Sequence, residues 1–410
     1  MTVQPVHGFF ARVYLRLFLL VCACLFYSIP AGPAAEAPQI VIAVGDVHGD
    51  FDDFCLILKR AGLIGEGNHW SGGHATLIQT GDLLDRGPKE REVLDLMMSL
   101  ETEAVNAGGK VIALLGNHEM MNLMGDLRYL TPEIYASFTT ADSDALRKTA
   151  YQEYIKWRKD NSRIIAEASN PLPELPEADW LAKHPVGFIE QRSAFSRNGN
   201  YGKWVRERHT VENISGLIFL HGGIAPDLSR VKLEEINSRV HAEINLWDDL
   251  VQYLTAEKLI LPFFTLSETT AAVRAALVAA NRSHTRAADE QRAKLAPFLQ
   301  LGSWLSVSSD GPLWFRGYDE WTETEGAAKI EKLLAAYDAS AFVVGHSVQK
   351  TASIRVRFND KVFLLDTGMV ASSSHAGRAS ALEIRDNQKF TAIYLDGQTV
   401  LFERGAAVPH

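Results

Sequence analysis

Cysteine is scarce in this chain, with three in 410 residues. Cys22 and Cys24 lie in an N-terminal apolar stretch, so a chain trimmed of that stretch keeps Cys55 alone and forms no disulfide within itself. Cys55 falls in "FDDFCLILKRAG", a helical pattern where the ordinary role of cysteine is that of a small buried hydrophobe. A surplus of positive charge is missing too. The net charge of −9 excludes a broad electrostatic footprint for nucleic acid or an anionic membrane surface, so any phosphate must be held locally. No internal repeat or low-complexity segment stands out. With 47% hydrophobic and 22% charged residues, the composition is neither disordered nor fibrous.

The N-terminus reads differently from the rest. Arg12 and Arg16 precede the apolar run "LFLLVCACLFYSIP", and Ala35 and Ala37 then stand in an A-x-A arrangement. We read residues 1–37 as a secretory signal cleaved after about Ala37, which places the mature protein outside the cell or in the periplasm. An uncleaved membrane anchor is the alternative, because the run is close to a minimal span, and contact with a membrane is expected only in that case.

From residue 38 to 410, short β-branched apolar runs recur: "QIVIAVGD", "ATLIQTGD", "KVIALLGNH", "GLIFLHGG", "AFVVGHS" and "VFLLDTG". They read as buried strands. Helical patterns separate the first three, the second opening with Pro88 at a plausible first helical position and ending in glycines. Strand, helix, strand, helix, strand is the α/β signature. Residues from about 126 to 210 and from about 231 to 300 break this alternation with helical material, and we read both as insertions over one core.

The runs share one property: almost every one ends in a potential metal ligand or acid–base group. The first ends in Asp46 and His48, the second in Asp82, the third in Asn117 and His118, the fourth in His221 and the fifth in His346. Taken singly, an Asp before Gly is a turn former and a lone His a hydrogen-bonded structural residue. Together, at the carboxyl ends of successive strands, they converge on one rim. Carboxylate, imidazole and amide oxygen suit Mn²⁺, Fe or Zn²⁺ rather than metals that select thiolates. One carboxylate can bridge two such ions, and the pair can clamp a phosphoryl group and activate water.

"GDVHG", "GDLLDRG" and "GNHE", followed by distant "HGG" and "GHS", resemble the phosphoprotein phosphatase family of calcineurin-like metallophosphoesterases. The stretch "LLGNHEMMNLMGDLRYL", with "GPLWFRGY" and "LLDTGM", is similar to the Shewanella-like protein phosphatases in particular. The resemblance implies an α/β fold with a central mixed β-sandwich flanked by helices, two divalent metal ions (manganese first, iron or zinc as alternatives) and a phosphorylated protein or peptide as partner. It implies that Asp46 and His48 bind the first metal, that Asp82 bridges both, and that Asn117, His221 and His346 complete the second site. His118 resembles the family's general acid, and Asp85 its orienting partner. Arg86 and Arg316 stand where the family holds phosphate, a task suited to a guanidinium that pairs bidentately and stays charged. Gly81 would let the backbone approach closely before Asp82.

Other residues read less sharply. Glu119 suits a supporting hydrogen bond, Asn122, Asp126 and Arg128 divide between capping and substrate contact, and core packing is the ordinary reading for Trp314 and Tyr318. The segment "DTGMVASSSHAGR" lacks the tyrosine that many eukaryotic members carry near the site, and neither Asp366 nor His375 within it is taken as a ligand. The expected activity is dephosphorylation of phosphoproteins by metal-activated hydroxide, leaning to phosphotyrosine. Two rivals remain: a dinucleoside polyphosphate hydrolase, which often has a proline after its arginine-glycine pair as "DRGP" does, and a secreted, non-catalytic metal-binding interaction module.

Overall fold

Strands that are apolar on both faces require cover on both, and helices on one side and a second sheet on the other supply it. The computed structural model describes residues 1–2, 39–167, 172–370 and 377–405. The expected signal falls on residues 1–37, which apart from Met1 and Thr2 lie outside the described residues. Among the described residues no helix is long and apolar enough to cross a membrane.

Strands β1 (Ile40–Val44), β2 (Thr76–Gln79) and β3 (Lys110–Ala113) run parallel, joined by helices α1 (Phe51–Arg60) and α2 (Glu90–Asn106). Helix α1 starts where Asp50 accepts the Asp53 N–H at 3.2 Å, and its acidic first turn and basic last turn match the helix dipole. Helix α2 begins two residues after Pro88 rather than on it. The Lys89 N–H is committed to Gly49 O at 3.1 Å, which holds the chain in the loop past the proline.

Helix α3 (Asn117–Met124) follows β3 at once. The first helical stretch comprises α4 (Pro132–Ser137), α5 (Ser143–Asp160), α6 (Ser162–Glu167), α7 (Glu177–Lys183), α8 (Phe188–Ala194) and α9 (Asn200–Arg206). Strands β4 (Val211–Ile214) and β5 (Leu217–Leu220) form a hairpin, after which α10 (Leu233–Ala256), α11 (Leu266–Asn281) and α12 (Arg286–Leu295) make the second stretch. The chain then runs through α13 (Gly317–Glu320), α14 (Glu323–Ala336), β6 (Ala341–Val344), β7 (Arg355–Arg357) and β8 (Val362–Leu364).

Three further strands, β9 (Ser380–Arg385), β10 (Lys389–Tyr394) and β11 (Gly397–Glu403), were not among the six apolar runs read from the sequence. They are antiparallel, carry polar residues at alternate positions, and extend the first sheet to the order β11-β10-β9-β1-β2-β3. The second sheet has the order β4-β5-β6-β8-β7.

The two sheets face each other. Val41, Ala43 and Ile78 of the first share a core with Phe219, Val343 and Phe363 of the second. Phe363 stacks on Phe390 of β10 with ring centroids 4.7 Å apart. The alternate residues Ile42 and Val44 join Phe54, Leu94 and Met97 of the helical layer. On its far side the second sheet packs Leu220, Val344 and Leu364 with Ile236 of α10 and Leu333 of α14.

Both helical stretches close on α3. Its C-terminal carbonyls, which a helix leaves without partners, accept Arg192 Nη1 at Asn122 O (3.0 Å), Trp247 Nε1 at Leu123 O (3.3 Å) and the Leu266 N–H at Gly125 O (2.9 Å). Trp157 of α5 meets Phe264, just before α11, edge to face at 4.8 Å, tying the two stretches together. Phe363→Ala would empty the centre of the sandwich and is expected to lower unfolding free energy by about 3–5 kcal/mol, read from urea denaturation. A loss below 1 kcal/mol, about the cost of a surface change, would show that the two sheets do not depend on this contact.

Candidate metal centre

Asp46 and His48 follow β1, Asp82 follows β2, Asn117 and His118 open α3, His221 follows β5 and His346 follows β6. The rim therefore draws on both sheets, not on one open sheet. The loops after β1 and β2 are laced together: the Val47 and His48 N–H groups both reach Asp82 O at 3.0 Å, and the Gly87 N–H reaches His48 O at 2.8 Å. Turning this sharply puts His48, Asp82, Asp85, Arg86 and His346 at φ of 50° to 69°, a region costly for residues with a Cβ. At Gly81 the expected close approach is present, since a Cβ there would lie 2.6 Å from the Gly116 nitrogen.

Asp82 is the hub. Its Oδ2 lies 3.2 Å from His221 Nε2, 3.6 Å from His48 Nε2 and 3.8 Å from His118 Nε2, while Oδ1 accepts the His118 N–H at 2.9 Å. Glu119 holds the surrounding backbone: it accepts the N–H groups of Asp82, Leu83 and Gly116 at 2.7–2.8 Å. Burial and the Asp82 charge push the Glu119 carboxyl up to about 7.

The donor set fits cations. Three imidazoles have one ring nitrogen pinned to a main-chain carbonyl: His48 Nδ1 to Leu84 O (2.8 Å), His221 Nδ1 to Thr80 O (2.9 Å) and His346 Nε2 to Trp314 O (3.0 Å). That is the outer arrangement ligating histidines usually have. The inner nitrogen of His48, Nε2, is buried without a hydrogen-bond partner and faces Asp46 and Asp82. Burial holds His48 down at about 3, and burial with the charges of His221 and Arg316 holds His346 far below its usual range, so both present lone pairs. His221 behaves oppositely. Burial alone would keep it neutral, but the Asp82 and Asp46 carboxylates outweigh that and raise it to about 9. Its Nε2 sits 2.9 Å from Asn117 Oδ1 and 3.2 Å from Asp82 Oδ2, so in the metal-free protein a proton sits between oxygens that a divalent cation would satisfy. Ring nitrogens and carboxylate oxygens of Asp82, His221 and His346 lie within 4.8 Å of one another, as do those of His48, Asp82 and His118.

His118 differs from the other members. Its Nδ1 is bonded to Asp85 Oδ2 at 2.5 Å, and its Nε2 lies 3.3 Å from Arg86 Nη2. A guanidinium at that distance suits a group that meets substrate better than one that binds metal. Burial opposes protonation of His118, but the Asp82 and Asp85 carboxylates raise its pKa above the ordinary value. Arg316 donates Nη1 to His346 O at 3.1 Å and to Ser347 Oγ at 3.3 Å. Both arginines are exposed at the rim.

A profile of the calcineurin-like phosphoesterases matches residues 40–350, most of the chain. The chain belongs to the calcineurin-like phosphoesterase family. Among its relatives, Shewanella-like protein phosphatase 2 of Arabidopsis thaliana is 30% identical over 51% of this chain and 53% of its own length. Shewanella-like protein phosphatase 1 of Plasmodium berghei is 24% identical over 90% of this chain and 76% of its own. In fold, this phosphoesterase is similar to the crystal structure of a cold-active protein-tyrosine phosphatase of a psychrophilic Shewanella species (TM-score 0.55, 23% identity, covering 89% of this chain and 81% of that one).

The phosphoesterase site also contains residues that sequence reasoning left out. Asp366 ends β8 just as the chosen ligands end their strands. It is buried beside Asp46, burial raises its pKa, and its Oδ2 has no hydrogen-bond partner. It carries the same positional signal as the residues taken as ligands. Tyr129 had no such signal: its ring is 42% exposed, 4.9 Å from the His118 ring and 5.7 Å from the Arg86 guanidinium carbon. Tyr318 is buried, with its hydroxyl donating to Ile224 O, and Trp314 is half-buried against His346. Asp126 and Arg128 pair with each other, Cys55 is buried in α1, and His375 lies outside the described residues.

The raised pKa of His221 has a definite sign. Its protonated form stabilises the metal-free fold fully below the ordinary value of 6.5, and that contribution is lost as pH rises through about 9. Metal-free phosphoesterase is expected to lose urea resistance across this window, and Mn²⁺ uptake near pH 7 to release the His221 proton. Calorimetry in buffers of different ionisation enthalpy reads the release. Uptake without a released proton would contradict the arrangement.

Proposed function

We propose that this phosphoesterase is a phosphomonoesterase acting on phosphorylated protein side chains, with phosphotyrosine preferred. The observation that carries the reading is the buried His118–Asp85 pair, set against the Asp82 cluster on one side and Arg86 on the other. A site that only held metal for structure would have no use for a protonated imidazole aimed at its open face.

Asp46, His48 and Asp82 would hold one divalent cation, and Asp82, Asn117, His221 and His346 a second. Mn²⁺ is our first assignment, and the same donors accept Fe or Zn²⁺. Bound there, the cations supply Lewis acidity, which activates a water and offsets charge on the phosphoryl group. The chain's own residues do the rest. Arg86, beside His118, and Arg316, beside His346, offer guanidinium forks to the phosphoryl oxygens. As the ester P–O bond breaks, its electron pair goes to the side-chain oxygen, which takes the proton from His118 Nε2. Asp85 keeps the imidazole oriented and stabilises its charged form. The products are inorganic phosphate and a free side-chain hydroxyl. Monoester hydrolysis is so slow unaided that this environment must remove on the order of 20 kcal/mol of barrier.

Tyr129 supports the preference for phosphotyrosine, because its exposed ring beside His118 and Arg86 offers a flat surface to an aromatic leaving group. The printed names of the relatives, protein phosphatases in Arabidopsis and Plasmodium and a protein-tyrosine phosphatase in Shewanella, agree with a phosphoprotein substrate. The N-terminal pattern supports a secreted or periplasmic location.

With Mn²⁺-reconstituted protein, kcat/KM on a phosphotyrosine peptide is expected to exceed that on the matched phosphoserine peptide at least tenfold, a difference of about 1.4 kcal/mol, with diadenosine tetraphosphate turned over more slowly than either. A serine preference would sink the tyrosine reading, and faster tetraphosphate cleavage the protein phosphatase reading. His118→Asn should lower kcat on the peptide by about 10²–10⁴-fold with both metals retained. Mass spectrometry of the exported protein should place its first residue near Pro38, whereas an intact N-terminus in a membrane fraction would favour the anchor.

A further inference from the structure

We infer that helix α8 of the first insertion positions the acid: Gln191 fixes Asn122, Asn122 fixes the Asp85 carboxylate, and Asp85 fixes His118. Gln191 and Asn122 are then positioning residues for protonation of the leaving group. The inference rests on the acid role given to His118 above.

The four side chains form one continuous hydrogen-bonded line. Asp85 Oδ2 meets His118 Nδ1 at 2.5 Å, Asp85 Oδ1 accepts Asn122 Nδ2 at 2.8 Å, and Asn122 Oδ1 accepts Gln191 Nε2 at 2.9 Å. Asp85, Asn122 and Gln191 are wholly shielded from solvent and His118 nearly so. The polarity of the line is fixed by chemistry. With the Asn122 NH₂ on Asp85 Oδ1, the Asn122 carbonyl turns outward and needs a donor, which Gln191 supplies. The same NH₂ also donates to His118 O at 3.1 Å, so Asn122 grips both members of the pair it supports.

What Asn122 controls is the rotation of the carboxylate rather than the position of the loop. The Asp85 backbone is held separately, because its N–H donates to Glu90 Oε2 at 3.0 Å. Without Asn122, Asp85 Oδ1 would be a buried, unpartnered oxygen, free to turn and take the His118 ring with it.

Gln191 carries an unpaired buried atom of its own: Oε1 has no hydrogen-bond partner. Leaving a polar atom unpaired in the interior is destabilising, and a leucine of similar size would avoid it. The one thing glutamine adds over leucine here is the donor to Asn122. Its neighbour Arg192 makes a different bond, from Nη1 to the main-chain oxygen of Asn122 at 3.0 Å, and so packs α8 on α3 without entering the line.

The test separates relay from packing by leaving group. An activated phenol such as p-nitrophenol needs little protonation as it departs, whereas a serine hydroxyl needs it fully, so only the second reaction depends on how well the acid is aimed. Full-length, Mn²⁺-loaded Gln191→Leu and Gln191→Met are compared with wild type on p-nitrophenyl phosphate and a phosphoserine peptide. Gln191→Met keeps the length of the side chain and removes the donor. We expect kcat on the phosphoserine peptide to fall at least about tenfold in every Gln191 variant that retains both metals, and kcat on p-nitrophenyl phosphate less than about threefold, with KM unchanged. Arg192→Leu, which removes only the bond to the Asn122 main-chain oxygen and leaves the side-chain line in place, should lower thermal stability and leave the ratio of the two rates as in wild type. Equal losses on both substrates, a wild-type ratio in Gln191→Met, or an altered ratio in Arg192→Leu would overturn the relay. His118→Asn is measured alongside. If its ratio does not change, the acid assignment itself fails; if it changes while the Gln191 variants do not, only the relay fails.

Discussion

Three carboxylates, Asp46, Asp82 and Asp366, are buried at the ends of β1, β2 and β8, and the architecture of the rim answers their charge. Burying like charges together is unfavourable unless something opposes them. Burial and the adjacent Asp366 raise Asp46 well above the usual carboxylate range, while His221 and His118 outweigh burial and keep Asp82 well below it. Backbone donors serve the same end: the His346 N–H reaches Asp46 Oδ1, and the His118 N–H reaches Asp82 Oδ1, each at 2.9 Å. To aim those donors inward, the loops adopt left-handed backbone at five of the site's own residues. The strain is sustained because the loops brace one another.

The same charge explains why the site lies between two sheets. A single parallel sheet could present Asp46, Asp82 and the Asn117–His118 pair, but not His221 and His346, which arrive on β5 and β6 from across the sandwich. Gly345 allows the contact, since a Cβ there would run into the Asp46 carboxylate. The helical insertions then secure the third corner. They close the C-terminal carbonyls of α3, so the helix that begins with Asn117 and His118 is held at both ends, by Glu119 near its start and by Arg192 and Trp247 at its finish.

Much of the site could be read from the chain because each of these strands announced its end: an apolar run, then a candidate ligand. That rule found Asp46, His48, Asp82, Asn117, His118, His221 and His346, and it applied equally to Asp366 in "VFLLDTG". Pro88 misled because helical preference is local, whereas the start of α2 is set by the distant carbonyl of Gly49. Strands β9 to β11 bear no such mark in the sequence, because they mix polar with apolar residues. Tyr129 and Gln191 were invisible for a different reason. An exposed tyrosine or a glutamine in an amphipathic helix has no sequence signature until its neighbours in space are known.

The sequence by itself determined the chemistry: which residues could bind cations, which histidine follows the asparagine as a potential acid, which arginines could meet phosphate, and that the strands must be buried on both faces. These are properties of residue type and short spacing, set by covalent neighbours. Only the tertiary structure decided that two sheets share the rim, that Arg86 lies against His118 Nε2, and that α8 reaches Asp85 through Asn122. Those contacts join residues 32 to 300 positions apart. Their geometry follows from packing of the whole core, which no local pattern encodes.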